Sequence, residues 1–136
     1  MEEVVVYTDG GARGNPGPAG AGVVIQEKGK TLAELKKYLG GGITNNLAEY
    51  EALILALAEA KKLGLAQKSL EIRMDSELIV RQMKGEYRVK DKSLKLQHAK
   101  ARELLAGFAK VSFVHIPREE NSKADRLVNE AIDEAS

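Results

Sequence analysis

Val4-Val5-Val6-Tyr7-Thr8-Asp9-Gly10-Gly11 is a run of five β-branched or aromatic residues closed by a carboxylate and two glycines. It predicts a strand over residues 4–8, buried on both faces, that ends on Asp9. Beyond it, residues 11–20 hold Gly14, Pro16, Gly17 and Pro18, which predicts a constrained loop and neither helix nor regular strand. Residues 21–26 read as a second strand, 27–30 as a hairpin turn and 31–39 as a third strand. Three strands on short connections make an antiparallel meander.

After Gly40-Gly41-Gly42 the period changes. Leu47, Tyr50, Leu53, Ile54, Leu57, Ala60 and Leu63 form a wide helical stripe over residues 46–63, closed by Gly64, and this helix is expected to be the most buried one. Residues 69–74 alternate as a strand and stop at Asp75, so a second strand ends on an acid. Helices are predicted over 76–84, 93–108 and 122–135, with a last strand over 111–116. The order β-β-β-α-β-α-α-β-α calls for crossover connections and parallel pairing after the meander. The expected class is α/β: a mixed five-stranded sheet, strands 1–3 antiparallel and strands 1, 4 and 5 parallel, flanked by helices.

At 136 residues, 43% of them hydrophobic, the chain is expected to be a single domain over 1–136 with a core of its own. The absence of Cys excludes disulfides, thiolate nucleophiles and Cys-bound zinc, and two His exclude a three-His zinc site. No stretch approaches the roughly 18–20 apolar residues of a membrane span, so a soluble, cytoplasmic protein is expected. Lys and Arg number 21 against 20 Asp and Glu, a net +1 that does not by itself announce a nucleic-acid binder.

Four carboxylates have both a structural and a chemical reading. Asp9 before two glycines suits a turn, Asn46-Leu47-Ala48-Glu49 and Ser122-Lys123-Ala124-Asp125 match capping boxes, and Asp75-Ser76 suits a helix cap. The topology shifts the balance, because the carboxyl ends of parallel strands are where such sheets build sites. Asp9 and Asp75 on adjacent strands, about 4.8 Å apart, would reach one ion. Glu49 shares a face with Leu53 and Leu57, and Asp125 one with Val128 and Ile132. Converging carboxylates repel one another, so a cation is expected among them. Oxygen-only donors select Mg²⁺ or Mn²⁺ over zinc. Two such ions about 3.5–4 Å apart would activate water and stabilise the leaving oxygen in attack on a phosphodiester.

Tyr7-Thr8-Asp9-Gly10-Gly11, Thr44-Asn45-Asn46-Leu47-Ala48-Glu49, Met74-Asp75-Ser76 and the stretch from His115-Ile116-Pro117-Arg118 through Asn121 to Asp125 together resemble ribonuclease H of type I. The resemblance covers almost the whole chain. It implies the ribonuclease H-like fold and hydrolysis of the RNA strand of RNA/DNA hybrids, with two Mg²⁺ or possible Mn²⁺ substitutes and 3′-hydroxyl and 5′-phosphate ends. By the same resemblance Asp9 bridges both ions, Glu49 also touches the RNA 2′-hydroxyl, Asp75 and Asp125 complete the ion shells, and His115 assists proton transfer or product departure.

Residues 11–17 lack the Gly-Lys-Ser/Thr of a phosphate loop, but such a loop offers backbone to a minor groove, where 2′-hydroxyls mark RNA. Gly10, Gly11, Asn15, Thr44, Asn45, Asn46, Ser76 and Asn121 are the expected substrate-binding residues. Residues 81–102 carry eight Lys and Arg against two acids, a local +6, while the remainder carries −5. That segment lies where the family handles substrate, but it lacks the longer Trp-containing basic extension of some members, so affinity is expected to be modest and salt-sensitive. Glu77 stands where some members have Gln, and His98 in the basic helix is expected to face solvent. The rival readings are a non-catalytic binding module on the same fold and a related nuclease acting on double-stranded RNA. A monomer without an obligate protein partner is expected.

Overall fold

The computed structural model describes residues 3–136. Its elements are β1 (Glu3–Ala12), β2 (Gly17–Glu27), β3 (Lys30–Ile43), α1 (Asn45–Lys62), β4 (Ser69–Met74), α2 (Glu77–Met83), α3 (Lys92–Leu105), β5 (Lys110–His115), a 3₁₀ turn (Arg118–Asn121) and α4 (Ser122–Ala135). The sheet order is β3-β2-β1-β4-β5, with β1 antiparallel to β2, β2 antiparallel to β3, and β1, β4 and β5 mutually parallel. This is the expected α/β arrangement, with β1 at its centre.

Several boundaries differ from the sequence expectation. β1 continues past Asp9 to Ala12, because Asp9, Gly10, Gly11 and Ala12 pair with Gly22, Ala21, Gly20 and Ala19 of β2. Its parallel partner stops earlier, at Thr8 opposite Met74, so Asp9 is the residue at which β1 parts from β4. The expected loop over 11–20 shrinks correspondingly. β2 begins at Gly17, and Pro18 falls at a register irregularity between Gly17 and Ala19, where a missing N–H is tolerated. β3 runs through Gly40-Gly41-Gly42 to Ile43.

α1 packs Tyr50, Leu53, Ala56 and Leu57 against Val4, Val6, Val23, Ile25, Ile72 and Met74 of the sheet, which forms the main core. Leu63, expected in that stripe, is 40% exposed just past the helix end. α3 covers α1, and α4 crosses β2 and β3 on the opposite face. Part of that face is left without a helix, so Val5 and Tyr7 are half-buried where burial on both sides was expected. The guanidinium of Arg73 lies 5.5 Å over the Tyr7 ring there. α3 also turns His98 inward: its ring meets Tyr50 edge-on at 6.3 Å, and burial lowers its pKa, so the solvent-facing expectation fails.

Candidate active site

Asp9 and Asp75 follow paired residues on adjacent parallel strands, since Thr8 lies opposite Met74. Glu49 reaches them from α1. The helix is capped by the Thr44 hydroxyl, which accepts from the Leu47 N–H at 3.2 Å, so Glu49 is its fifth residue and takes no part in a capping box. Its carboxylate instead accepts the Gly10 N–H at 3.2 Å. Gly10 permits this approach, for a Cβ there would lie 2.2 Å from the Ala48 carbonyl. One oxygen from each of Asp9, Glu49 and Asp75 lies within 4.8 Å of the others. Asp125 comes in from the first turn of α4 and faces the same open cavity of about 430 Å³, although it stands outside that tight trio. Asn121, and not Ser122, is the residue preceding α4, and among the described residues no side chain caps that end.

The electrostatics are those of a site short of positive charge. Burial raises the Asp9 pKa to about 8, helped by the charges of Asp75 and Asp125. Glu49 is pushed well above the ordinary range by burial and then by Asp9 and Asp75, while Asp75 is raised mainly by burial. Arg118 acts against all three shifts from the cavity wall. Arg118 stands inside the fourth motif, but spacing alone does not mark it as a cation among the acids. The Asp75 Oδ2 atom is buried with no hydrogen-bond partner among the described residues. A buried orphan oxygen amid clustered carboxylates fits a divalent, oxygen-preferring ion such as Mg²⁺ or Mn²⁺.

The remaining expected residues fall into distinct positions. Gly10, Gly11, Asn45 and Ser76 line the cavity. Asn45 accepts the Ala12 N–H at 2.8 Å through its side chain, while its own N–H donates to Asn15 Oδ1 at 3.0 Å. Asn15, Thr44 and Asn45 thus brace the loop and helix start, and Asn46 is exposed in the first turn of α1. Ser76 caps α2. Asn121 is 1% exposed, donates to the Thr8 carbonyl at 2.8 Å and hydrogen-bonds Asp75, so it lies beneath the acids and not on a substrate surface. His115 pairs with Met74 across β4 and β5 and lines a smaller cavity of about 130 Å³ with Glu77, Arg81, Lys84 and Glu86. Arg13 and Asn129 also line the acidic cavity and were not anticipated. Within the basic segment, Arg81 is paired with Glu77 and Glu86, and Arg102 donates to the Met83 carbonyl.

The sequence profile of the family described as Reverse transcriptase-like matches residues 7–131. The chain is 44% identical over 133 residues to the protein named ribonuclease HI of Halobacterium salinarum, covering 97% of this chain and 65% of that protein. It is 43% identical over 136 residues to the protein named Bifunctional protein Rv2228c of Mycobacterium tuberculosis, where it spans only 36% of the length. The crystal structure of LC11-RNase H1 in complex with RNA/DNA hybrid superposes with a TM-score of 0.93 at 55% identity, over 97% of this chain and 98% of that one. With its strand order, its acidic centre and these similarities, the chain belongs to the type 1 ribonuclease H family.

Proposed function

We propose that the chain is an endoribonuclease that hydrolyses the RNA strand of RNA/DNA hybrids, leaving 3′-hydroxyl and 5′-phosphate ends. The observation that carries this reading is the meeting of Asp9, Glu49 and Asp75 within 4.8 Å, with Asp125 facing the same cavity. These four acids would hold two Mg²⁺, with Mn²⁺ as a substitute. When bound, the ions supply an activated water and stabilisation of the leaving oxygen. Asp9 would serve both ions, and Glu49, whose carboxylate accepts the Gly10 N–H, would join it from α1. Asn121 steadies Asp75 from below. Gly10, Gly11, Asn45 and Ser76 offer polar backbone and side chains to the nucleic acid around the cavity. His115, exposed at the end of β5, is the group that the family resemblance assigns to proton transfer or product departure. The reading takes the protein as a cytoplasmic monomer that needs no protein partner. Among the described residues no helix is long and apolar enough to cross a membrane.

The test offers labelled RNA/DNA hybrid, double-stranded RNA and double-stranded DNA to the wild type and to Asp9→Asn and Asp75→Asn, with Mg²⁺, Mn²⁺ or chelator. The expected result is metal-dependent cutting of the hybrid, reduced by about 10³-fold or more in each variant, as loss of several kcal/mol of charge stabilisation requires. Cutting of double-stranded RNA alone would replace the reading with the second nuclease. Binding without cutting would replace it with the non-catalytic module.

A further inference from the structure

Arg13 sits on the short connection between β1 and β2, at the lip of the acidic cavity. Its guanidinium is held on the surface of α4 by oxygens: NH1 bonds Asp133 Oδ1 at 2.6 Å, and NH2 bonds the Asn129 carbonyl at 3.3 Å and Asn129 Oδ1 at 3.2 Å. Asn129 in turn donates its side-chain amide to the Asp125 carbonyl at 3.0 Å. The contacts therefore run from the loop to the helix that carries the fourth acid.

Two features make this more than a clamp. Among the described residues lining the cavity, the cationic side chains are Arg13 and Arg118, against four carboxylates. Arg118 stands with the buried acids, where it counters their charge, whereas Arg13 stands at the rim. Metal ions at the carboxylates would serve the phosphate being cut, but the phosphates on either side also approach an acidic wall and need their own counter-charge. The second feature is the weakness of the present partner. The side chains of Arg13 and Asp133 are 45% and 65% exposed, and an exposed pair of this kind holds its cation only lightly. A planar guanidinium prefers two parallel bonds to a phosphate wherever one is presented.

We propose that Arg13 is a phosphate-binding residue, released from Asp133 to grip a backbone phosphate flanking the one at the acidic centre, with Asn129 keeping the guanidinium aimed at the cavity. This rests on the reading of the chain as a hybrid-cleaving nuclease and adds a contact specific to the β1–β2 connection. It predicts that removing Arg13 weakens hybrid binding whereas removing Asp133 does not. A residue serving only to staple the loop to α4 would give equal effects on removal of either partner.

The experiment measures binding of a fluorescent RNA/DNA hybrid in chelator over a range of salt, together with kcat and KM in Mg²⁺, for the wild type, Arg13→Ala, Arg13→Lys and Asp133→Asn. The expected result is a KM raised about 3- to 10-fold in Arg13→Ala, with kcat within about twofold and a salt slope smaller by about one. Arg13→Lys recovers the slope but only part of the KM, because the charge returns without the fork. Asp133→Asn leaves KM unchanged or lowers it. Equal weakening by Arg13→Ala and Asp133→Asn with matching losses of thermal stability would overturn the proposal, as would an unchanged slope in Arg13→Ala. A wild type that binds the hybrid but never cuts it would remove the nuclease reading, and the chelator slope would still decide the phosphate contact.

Discussion

At Asp9 folding and function pull in opposite directions. The folded pKa of about 8 lies above the ordinary 3.8, so between those values the folded chain holds a proton that the unfolded chain has lost. Stability contributed by that proton is lost as pH rises through the window. The metal-free protein is therefore expected to melt at a lower temperature at pH 8.5 than at pH 5.5, with Mg²⁺ reversing the fall. Asp9→Asn should flatten the pH dependence and stabilise the metal-free chain by about 1–3 kcal/mol at pH 8, measured by thermal unfolding in chelator. Comparing these two chains separates Asp9 from His98, whose lowered pKa works the other way. Asn121 tests the support beneath the acids. Asn121→Ala leaves the Thr8 carbonyl without its side-chain donor, so a loss of about 1–3 kcal/mol in denaturant unfolding is expected, together with weaker Mg²⁺ binding by calorimetry. The four acids were legible because strand ends and helix faces can be read from spacing. The supporting role of Asn121 was not, because its bond to Thr8 spans 113 positions in sequence.

Among the elements, β4 and α4 have the bounds the sequence predicts, Ser69–Met74 and Ser122–Ala135, since clean alternation and a strong apolar stripe each mark their ends. The start of β2 is where that reading fails. Glycines and prolines between 14 and 20 look like loop by propensity, yet the bare backbone is what lets another element lie directly on the strand. A Cβ on Gly20 would fall 2.8 Å from the Val128 carbonyl oxygen, and farther along the strand one on Gly22 would fall 2.3 Å from the Ala124 carbonyl oxygen and 2.9 Å from Leu127 Cβ. Only the packing of α4 reveals that need. Gly22→Ala is expected to lift α4 from the sheet, costing about 1–3 kcal/mol or more and displacing Asp125 from the cavity. Gly41→Ala, with open space around its Cβ, should change stability by no more than about 0.5 kcal/mol. Chemical unfolding and metal titration of the two variants check both statements.

Over the whole molecule, the net +1 conceals two opposed regions. Setting aside the four acids proposed to hold metal leaves 21 basic against 16 acidic residues, a surplus of +5 close to the +6 of residues 81–102. With Arg81 and Arg102 engaged in internal contacts, that segment presents fewer cations to a nucleic acid than its composition suggests, so the proposed hybrid binding is expected to weaken steeply with salt and to stay modest. The general architecture and the acidic centre could be read from the sequence because both follow from local periodicity and strand order. The cationic side of the site, Arg118 and Arg13, depends on where a turn and a loop fold back, which periodicity does not encode. The most direct measurement uses one hybrid with differently labelled RNA and DNA strands, started by adding Mg²⁺ to the metal-free protein. The account predicts that the RNA is cut to 5′-phosphate products, the DNA stays whole, and chelator stops the reaction. Cutting that persists in chelator, or an RNA strand left intact by the folded wild type with Mg²⁺, would contradict it.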